Sequence, residues 1–321
     1  MVSQFIISVD LGGTKILSAL INSNNEIVSR VKVATVVEKG NEYLVKSIAV
    51  CIKKLLEENK LSDKDVKAIC LGVPGTVNPF TGIIGTAPNL GITNFNIKEA
   101  LAKETAIPVL VENDVNLAGL GIKKFELGSG VKNMLVVFIG TGIGGAFFFD
   151  EKIYRGSSFF AGEIGHILVE PKGEFSTFSN RTTFELTASR SAIVRDIKRG
   201  LNKGKKSILK EYKSPKKQLK SRVLAEAVKK EDQLAVKIVG KAAATIGTVL
   251  GSITTLLNID TIVLGGGVIE AMHEFMIPKI EKSFRESVLK EPGEFVKIFE
   301  TKLGDDAALF GGVALAEEFL E

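Results

Sequence analysis

Val9-Asp10-Leu11-Gly12-Gly13-Thr14-Lys15 joins two apolar runs, Phe5 to Val9 and Ile16 to Ile21. The first run reads as a strand, the paired glycines as a tight turn, and the second run as a returning strand. Asn22-Ser23-Asn24-Asn25 then turns the chain into a third strand, Glu26 to Val33. About 130 residues later the plan recurs. Met134 to Ile139 lead into Gly140-Thr141-Gly142-Ile143-Gly144-Gly145, Ala146 to Phe149 come back, and Asp150-Glu151-Lys152 turn into Ile153-Tyr154. Each half therefore opens as strand, glycine turn, strand, polar turn, strand, which implies a duplicated unit.

A glycine turn between strands has a purely conformational explanation, because tight hairpin loops need positive φ. The polar content of these two turns asks for more. Asp10, Thr14 and Lys15 flank one, and Thr141 lies inside the other. Backbone N–H groups freed by small residues form a concave nest for phosphate oxygens, and hydroxyl or ammonium groups at the rim add charge-assisted hydrogen bonds. Two such turns facing one another would grip a polyphosphate from both sides. Neither is a P-loop or a dinucleotide turn, since both of those lead into a helix and these lead into strands.

The 321 residues make two domains of ordinary size. Hydrophobic residues at 45% and a mean hydropathy of +0.21 fit well-packed cores. The first apolar stretch is interrupted by Asp10 and has no basic leader, so the chain reads as cytoplasmic. Ala242 to Leu257 is apolar but too short for a membrane span and holds five hydroxyls. It reads as a buried helix in which Ala243, Gly247 and Gly251 admit a close neighbour. No membrane association is expected. Cys51 and Cys70 sit in apolar contexts and read as buried thiols. Charge is concentrated: Arg195 to Arg222 holds 12 Lys and Arg against Asp196 and Glu211, in a chain whose total is +5. Such a segment can attract a phosphate backbone. It has one aromatic residue, Tyr212, and no nucleic-acid-binding pattern, so it reads as a solvated surface and no nucleic-acid partner is expected.

Further along, helical spacing covers Asn41 to Asn59, Phe95 to Glu104 with Asn96 a candidate cap, Leu224 to Asn258 as two helices or one long bent one, Val268 to Phe284 and Asp306 to Leu320. Strands are expected at Val66 to Val73, Ile107 to Val111, Thr261 to Leu264 and Phe295 to Glu300. The alternation defines an α/β protein, whose ligands sit beyond the carboxyl ends of its strands. There, Ile107 to Val111 runs out into Glu112-Asn113-Asp114-Val115-Asn116. Asp114 could simply cap the next helix. An Asn-Asp pair also suits vicinal hydroxyls, with the carboxylate accepting a proton from one of them. Glu163-Ile164-Gly165-His166 could turn two polar side chains into one pocket, although a lone histidine more often has a structural role. Glu185 sits where a first-turn acid merely complements a helix dipole.

Taken together, Asp10-Leu-Gly-Gly-Thr-Lys15, Gly72-Val-Pro-Gly75, Pro88-Asn-Leu90, Glu112-Asn-Asp114, Gly140 to Gly145, Glu163-Ile-Gly-His166, Glu185 and Leu264-Gly-Gly-Gly-Val268 closely resemble the ROK family of sugar kinases and sugar-responsive repressors. The resemblance covers nearly the whole chain. It implies an actin-like, ribonuclease H-like ATPase fold, with two related domains around a cleft where ATP and a hexose meet. Residues 1–114 with about 306–321 would form the N-terminal lobe, and 115–305 the C-terminal lobe. By matching motifs, Asp10, Gly12, Gly13, Thr14 and Lys15 with Thr141 and Gly142 would hold the triphosphate, and Gly265, Gly266 and Gly267 the adenosine. Asp10 would reach magnesium through water. Gly75, Asn113, Asp114, Glu163, His166 and Glu185 would contact the sugar, with Asp114 as base for the attacking hydroxyl. The resemblance also implies a homodimer or homotetramer.

One departure stands out. Many family members carry three zinc-binding cysteines just before the position of Glu185, completed by the histidine of the Glu-x-Gly-His element. Here Ser176, Phe178 and Thr183 stand in their places. Structural zinc needs sulfur or imidazole at all four positions. No structural zinc is expected, with Phe175, Phe178 and Phe184 packing the loop instead. The favoured function is phosphorylation of glucose at its 6-hydroxyl. Alternatives are fructose, mannose, N-acetylglucosamine or N-acetylmannosamine as acceptor, or a non-catalytic sugar-responsive regulator. The repressor relatives place a helix-turn-helix domain ahead of the first phosphate strand, and this chain reaches that strand within about five residues.

Overall fold

A computed structural model describes residues 5–170, 182–214 and 217–320. The first half of the chain holds β1 (Phe5–Leu11), β2 (Lys15–Ile21), β3 (Ile27–Ala34), α1 (Asn41–Glu58), β4 (Val66–Val73), β5 (Thr76–Val77), β6 (Ile83–Ala87), β7 (Ile92–Asn96), α2 (Ile97–Ala102), β8 (Val109–Asn113) and α3 (Asp114–Ile122). There follow β9 (Met134–Ile139), β10 (Ile143–Phe149), β11 (Lys152–Tyr154), β12 (Leu168–Glu170), β13 (Thr182–Thr183), α4 (Phe184–Ala188), α5 (Arg190–Asn202), α6 (Ser221–Lys229) and α7 (Gln233–Leu257). The chain ends with β14 (Thr261–Gly265), α8 (Ile269–Ser287), α9 (Lys290–Phe295), β15 (Lys297–Glu300) and α10 (Asp306–Leu320).

Two five-stranded sheets repeat one plan, β3-β2-β1-β4-β8 and β11-β10-β9-β14-β15. In each, the leading strand pairs antiparallel with the next strand and parallel with the fourth, and the fifth continues parallel. This is the actin-like, ribonuclease H-like α/β fold, and the duplication read from the glycine turns extends through both sheets.

The chain divides into two compact units. The first comprises Met1–Val131, Glu151–Ala161 and Asp305–Glu321; the second comprises Lys132–Asp150 and Gly162–Gly304. The first unit thus extends beyond the expected end at residue 114, for two physical reasons. Helices α3 and α10 pack together so closely that a Cβ on Gly311 would lie 1.8 Å from the Leu117 carbonyl oxygen, and one on Gly121 would lie 2.1 Å from that of Ala307. Residues 151–161 are held by Arg155, which donates to both Glu112 and Glu318.

Alternation along the first sheet separates its two layers. Ile7, Val9 and Leu11 of β1, with Ile69, Leu71 and Val73 of β4, pack with Leu44, Ile48, Ile52 and Leu55 of α1. The opposite face carries Ser8, Cys70 and Gly72, small enough for α3 and α10 to lie directly on the sheet. Ser8 donates its hydroxyl to the Ala308 carbonyl at 3.3 Å. Asp10 and Glu112 are on this same face by the period of two.

In the second unit, Leu135, Val137 and Ile139 of β9 and Ile262 and Leu264 of β14 join one core with α7 and α8. The spacing Ala243, Gly247, Gly251 does admit a close neighbour: a Cβ at Gly247 would come 2.2 Å from the Ile280 carbonyl oxygen of α8. Helix α7 is long and apolar enough to cross a membrane by composition alone, yet Val239, Ala242, Ala243, Ile246 and Leu250 lie inside this core. Helix α5, in the basic segment, buries Ile193, Ile197 and Leu201 and exposes Arg195 and Arg199. Cys51 and Cys70 are buried and unbridged.

One expected helix start is displaced. Phe95 belongs to β7, in the small sheet β5-β6-β7, and α2 begins only after Asn96, whose side chain caps it by accepting from the Glu99 N–H. Pairing with Ile84 on β6 keeps Phe95 extended.

Candidate active site

In the first unit the register brings three positions level at the carboxyl edge of the parallel strands. Asp10 pairs with Gly72, and Gly72 with Glu112. Adjacent strands lie about 4.8 Å apart, so Asp10 is some two strand spacings, ~10 Å, from the end of β8. The β1-β2 hairpin tip is fixed from outside. Thr35 donates its hydroxyl to the Gly12 carbonyl at 2.7 Å and its N–H to the Thr14 carbonyl at 3.1 Å. Gly13 lies over Asn89, where a Cβ would come within 3.4 Å. Lys15 forms an ion pair with Asp305 just ahead of α10. Burial pushes the Asp10 carboxyl up to about 6, with Lys15 opposing and Asp305 reinforcing the shift.

At the end of β8 the cap of α3 belongs to Asn113. Its side-chain oxygen accepts from Val115 N–H at 2.9 Å and Asn116 N–H at 3.0 Å, and its amide nitrogen donates to the Gly75 carbonyl at 3.0 Å. Asp114 is the first residue of α3, and its Oδ1 accepts the Val115 N–H at 2.9 Å. Gly72 lies beneath it, where a Cβ would meet the Leu117 side chain at 2.9 Å and the Asp114 Cα at 3.5 Å. Gly75 has φ +84, and a Cβ would come 2.2 Å from the Thr86 carbonyl oxygen, so this turn requires glycine. Asp10, Lys15, Gly75, Asn113 and Asp114 therefore belong to one edge of one unit.

The second unit gathers its own expected residues around the β9-β10 hairpin. Glu185 accepts the Ile143 N–H at 2.8 Å, and a Cβ on Gly142 would lie 2.3 Å from its Oε2. Residues 162–166 run alongside: Gly145 donates to the Gly162 carbonyl at 3.0 Å, and a Cβ on Gly165 would lie 2.4 Å from the Ile143 carbonyl oxygen. His166 is 77% exposed with its Nε2 3.8 Å from Glu163, so that pair is loose. Burial raises the Glu163 carboxyl above its ordinary value, His166 opposes the shift and Glu185 adds to it. The Gly265-Gly266-Gly267 turn meets the same hairpin through Ile139, whose carbonyl accepts the Val268 N–H at 3.1 Å. Gly266 has φ +88, while a Cβ on Gly267 would meet nothing within 4 Å.

Several partners of these turns carry no local signal in the sequence. Arg190 donates to the Thr141 hydroxyl and its N–H to the Gly140 carbonyl at 2.9 Å, and Ser191 donates to the Thr141 carbonyl at 2.7 Å. The start of α5 is thereby attached to the second glycine turn. Nothing local in the sequence pairs Asp305 and Arg190 with turns 290 and 49 positions away. Thr183, at an expected cysteine position, caps α4 by accepting from the Leu186 N–H. Phe184 is buried in the core, whereas Phe175, Ser176 and Phe178 lie outside the described residues. Among the described residues no group of three or more His, Cys, Asp or Glu could hold a metal ion.

The duplicated sheet and its paired glycine hairpins define an actin-like α/β protein. The chain belongs to the ROK family, whose model matches residues 6–319. A glucokinase of Halalkalibacterium halodurans is 33% identical over 99% of this chain and 96% of its own length. Among solved structures, a ROK family glucokinase from Streptomyces griseus in complex with glucose and AMPPNP aligns with TM-score 0.83 and 28% identity, covering 98% of this chain and 99% of that one. A ROK family transcriptional regulator aligns with TM-score 0.84 over 98% of this chain and 78% of its own, at 23% identity, a likeness of fold alone.

Proposed function

We propose that this protein transfers the γ-phosphoryl group of ATP to a hydroxyl of a hexose, with glucose and its 6-hydroxyl the first acceptor to try. The observation that carries the reading is that Asp114 opens α3 two residues after Glu112, the β8 position level with Asp10 on the same sheet edge. The names of the glucokinase relatives support it.

The residues fit a magnesium-bound nucleotide. A Cβ at Gly140 or Gly267 would meet nothing within 4 Å, so both turns leave open space for a ligand. Lys15 and Arg190 supply one cation beside each glycine hairpin, and Asp10 is the carboxylate expected to reach magnesium through water. Gly12, Gly13, Thr14, Thr141 and Gly142 would surround the phosphates, and Gly265 to Gly267 the adenosine. Magnesium, when bound, neutralises part of the triphosphate charge.

Phosphoryl transfer has a loose transition state, so alignment matters more than the strength of the base. Asp114 would accept a hydrogen bond from the sugar hydroxyl, orient it, and take its proton late in the transfer. Its Oδ1 is steadied by the Val115 N–H, at the positive end of the α3 dipole. Asn113 has its side-chain oxygen engaged by two amides, so its contact to sugar would come from the amide nitrogen. Glu163, His166 and Glu185 would complete the sugar set, with Gly75 passing close. Because Glu185 also holds the second hairpin, sugar and nucleotide residues of that unit share one anchor. Self-association as a homodimer or homotetramer belongs to the same reading.

The test is a coupled assay of ADP release across glucose, mannose, fructose, N-acetylglucosamine and N-acetylmannosamine. Release that depends on at least one of these sugars supports a kinase. Release that no sugar stimulates favours a sensor.

A further inference from the structure

We propose that Arg155 is a positioning residue for phosphoryl transfer, acting on Asp114 through the buried carboxylate of Glu112. The inference rests on the reading of Asp114 as the base. Glu112 is the last residue but one of β8, on the face covered by α3 and α10, and is 1% exposed. Its Oε1 accepts the Asn113 N–H at 2.9 Å and the Asn116 side-chain amide at 3.0 Å. One oxygen therefore holds the backbone just before Asp114 and a side chain just after it. Its Oε2 accepts from Arg155 Nε at 2.6 Å.

Arg155 is itself held. Its Nη1 and Nη2 donate to the two carboxylate oxygens of Glu318 on α10 at 2.6 and 2.9 Å, and its guanidinium lies 5.6 Å from the Phe319 ring centre. Its carbonyl accepts the Ala161 N–H at 3.0 Å, closing the segment that carries it. Phe159 in that segment packs on Phe80 at 5.2 Å, and Phe80 on Phe319 at 5.5 Å. A planar fork serves two carboxylates at once; an ammonium on a flexible stem cannot reproduce that geometry.

A buried ion pair is weak evidence for stability, because desolvation offsets much of the attraction. What this one does is directional. Glu112 Oε1 accepts from Asn113 and Asn116 on either side of Asp114 while Oε2 faces Arg155, and an apolar side chain of like volume would fill the same space without binding the turn. Without Arg155 the carboxylate is left buried and unmatched. The Asn113-Asp114 turn then loses its fixed orientation, and a misplacement of about 1 Å in an aligned site costs roughly 100-fold in rate.

The experiment is a double-mutant cycle of Arg155→Gln with Asp114→Asn, reading kcat and KM for sugar and for ATP, with urea midpoints alongside. Arg155→Gln is expected to lower kcat roughly 10- to 100-fold with KM for ATP unchanged. In the Asp114→Asn background it is expected to cost almost nothing further, since the group it positions is gone. Arg155→Lys, which keeps a cation on Glu112, is expected to fall between wild type and Arg155→Gln, and it replaces the latter in the cycle if the glutamine variant does not fold. Equal fold losses in both backgrounds, or wild-type kcat in the Arg155 variants, overturn the proposal while leaving Asp114 as base. Full activity of Asp114→Asn alone removes the reading on which it rests.

Discussion

The Glu185 carboxylate accepts the Ile143 backbone N–H at 2.8 Å, so an acid in the first turn of α4 fixes the tip of the second glycine hairpin. Glu185→Ala deletes that acceptor. A lost acceptor for a backbone donor costs about 1–3 kcal/mol, and KM for ATP is expected to rise with the loosened turn. Glu185→Gln keeps an oxygen and should retain most of the stability. Urea unfolding of both variants checks this, and identical losses for glutamine and alanine would speak against the hydrogen bond as the cause.

Gly75→Ala is expected to be severe. The residue has φ +84, and the added carbon would come 2.2 Å from the Thr86 carbonyl oxygen. Left-handed strain alone costs about 1–3 kcal/mol, and the overlap forces β6 away from the turn to which Asn113 is bonded. Thermal unfolding should give a clearly lower Tm and activity should fall with it. A variant with wild-type Tm would mean that the turn is differently shaped.

Asp10 carries a pH signature in the metal-free protein. Its folded value of about 6 lies above the ordinary 3.8, so the folded state binds the proton more tightly than the unfolded chain. Stability should therefore fall as pH rises from about 4 to 6 and stay level above, by at most ~3 kcal/mol from this group. Asp10→Asn, measured in EDTA, should be more stable than wild type at pH 7 and indistinguishable from it near pH 4. A variant less stable than wild type at pH 7 would contradict the burial argument.

Zinc analysis of the purified protein addresses the loop ahead of Glu185. With Ser176, Phe178 and Thr183 in place of cysteines, metal content is expected far below one zinc per chain, and chelator treatment should leave the Tm unchanged. Stoichiometric zinc would require ligands other than those the motif supplies.

Much of the fold was legible because the signals were local. The hairpin glycines mark the leading strands of both sheets, and the 3.6-residue spacing of Leu44, Ile48, Ile52 and Leu55 marks α1. The small sheet β5-β6-β7 was not legible: Thr76-Val77 is too short for a periodic signal, and Phe95 is extended only through its pairing with Ile84. Site residues inside motifs could be proposed from the sequence. Asn113 rather than Asp114 as the cap, and the attachments of Lys15 to Asp305, Thr141 to Arg190 and Glu112 to Arg155, depend on distant segments meeting. Arg155 sits in an ordinary polar stretch, and only the fold gives it two acids.

In the proposed reaction Asp114 accepts the proton of a sugar hydroxyl. The most direct test of that step is kcat for Asp114→Ala on whichever hexose the wild type phosphorylates, with sugar affinity measured by calorimetry on the same samples. The kcat is expected to fall by roughly 10²- to 10⁴-fold while the variant still folds and still binds sugar. An Asp114→Ala enzyme that turns over at the wild-type rate would contradict it.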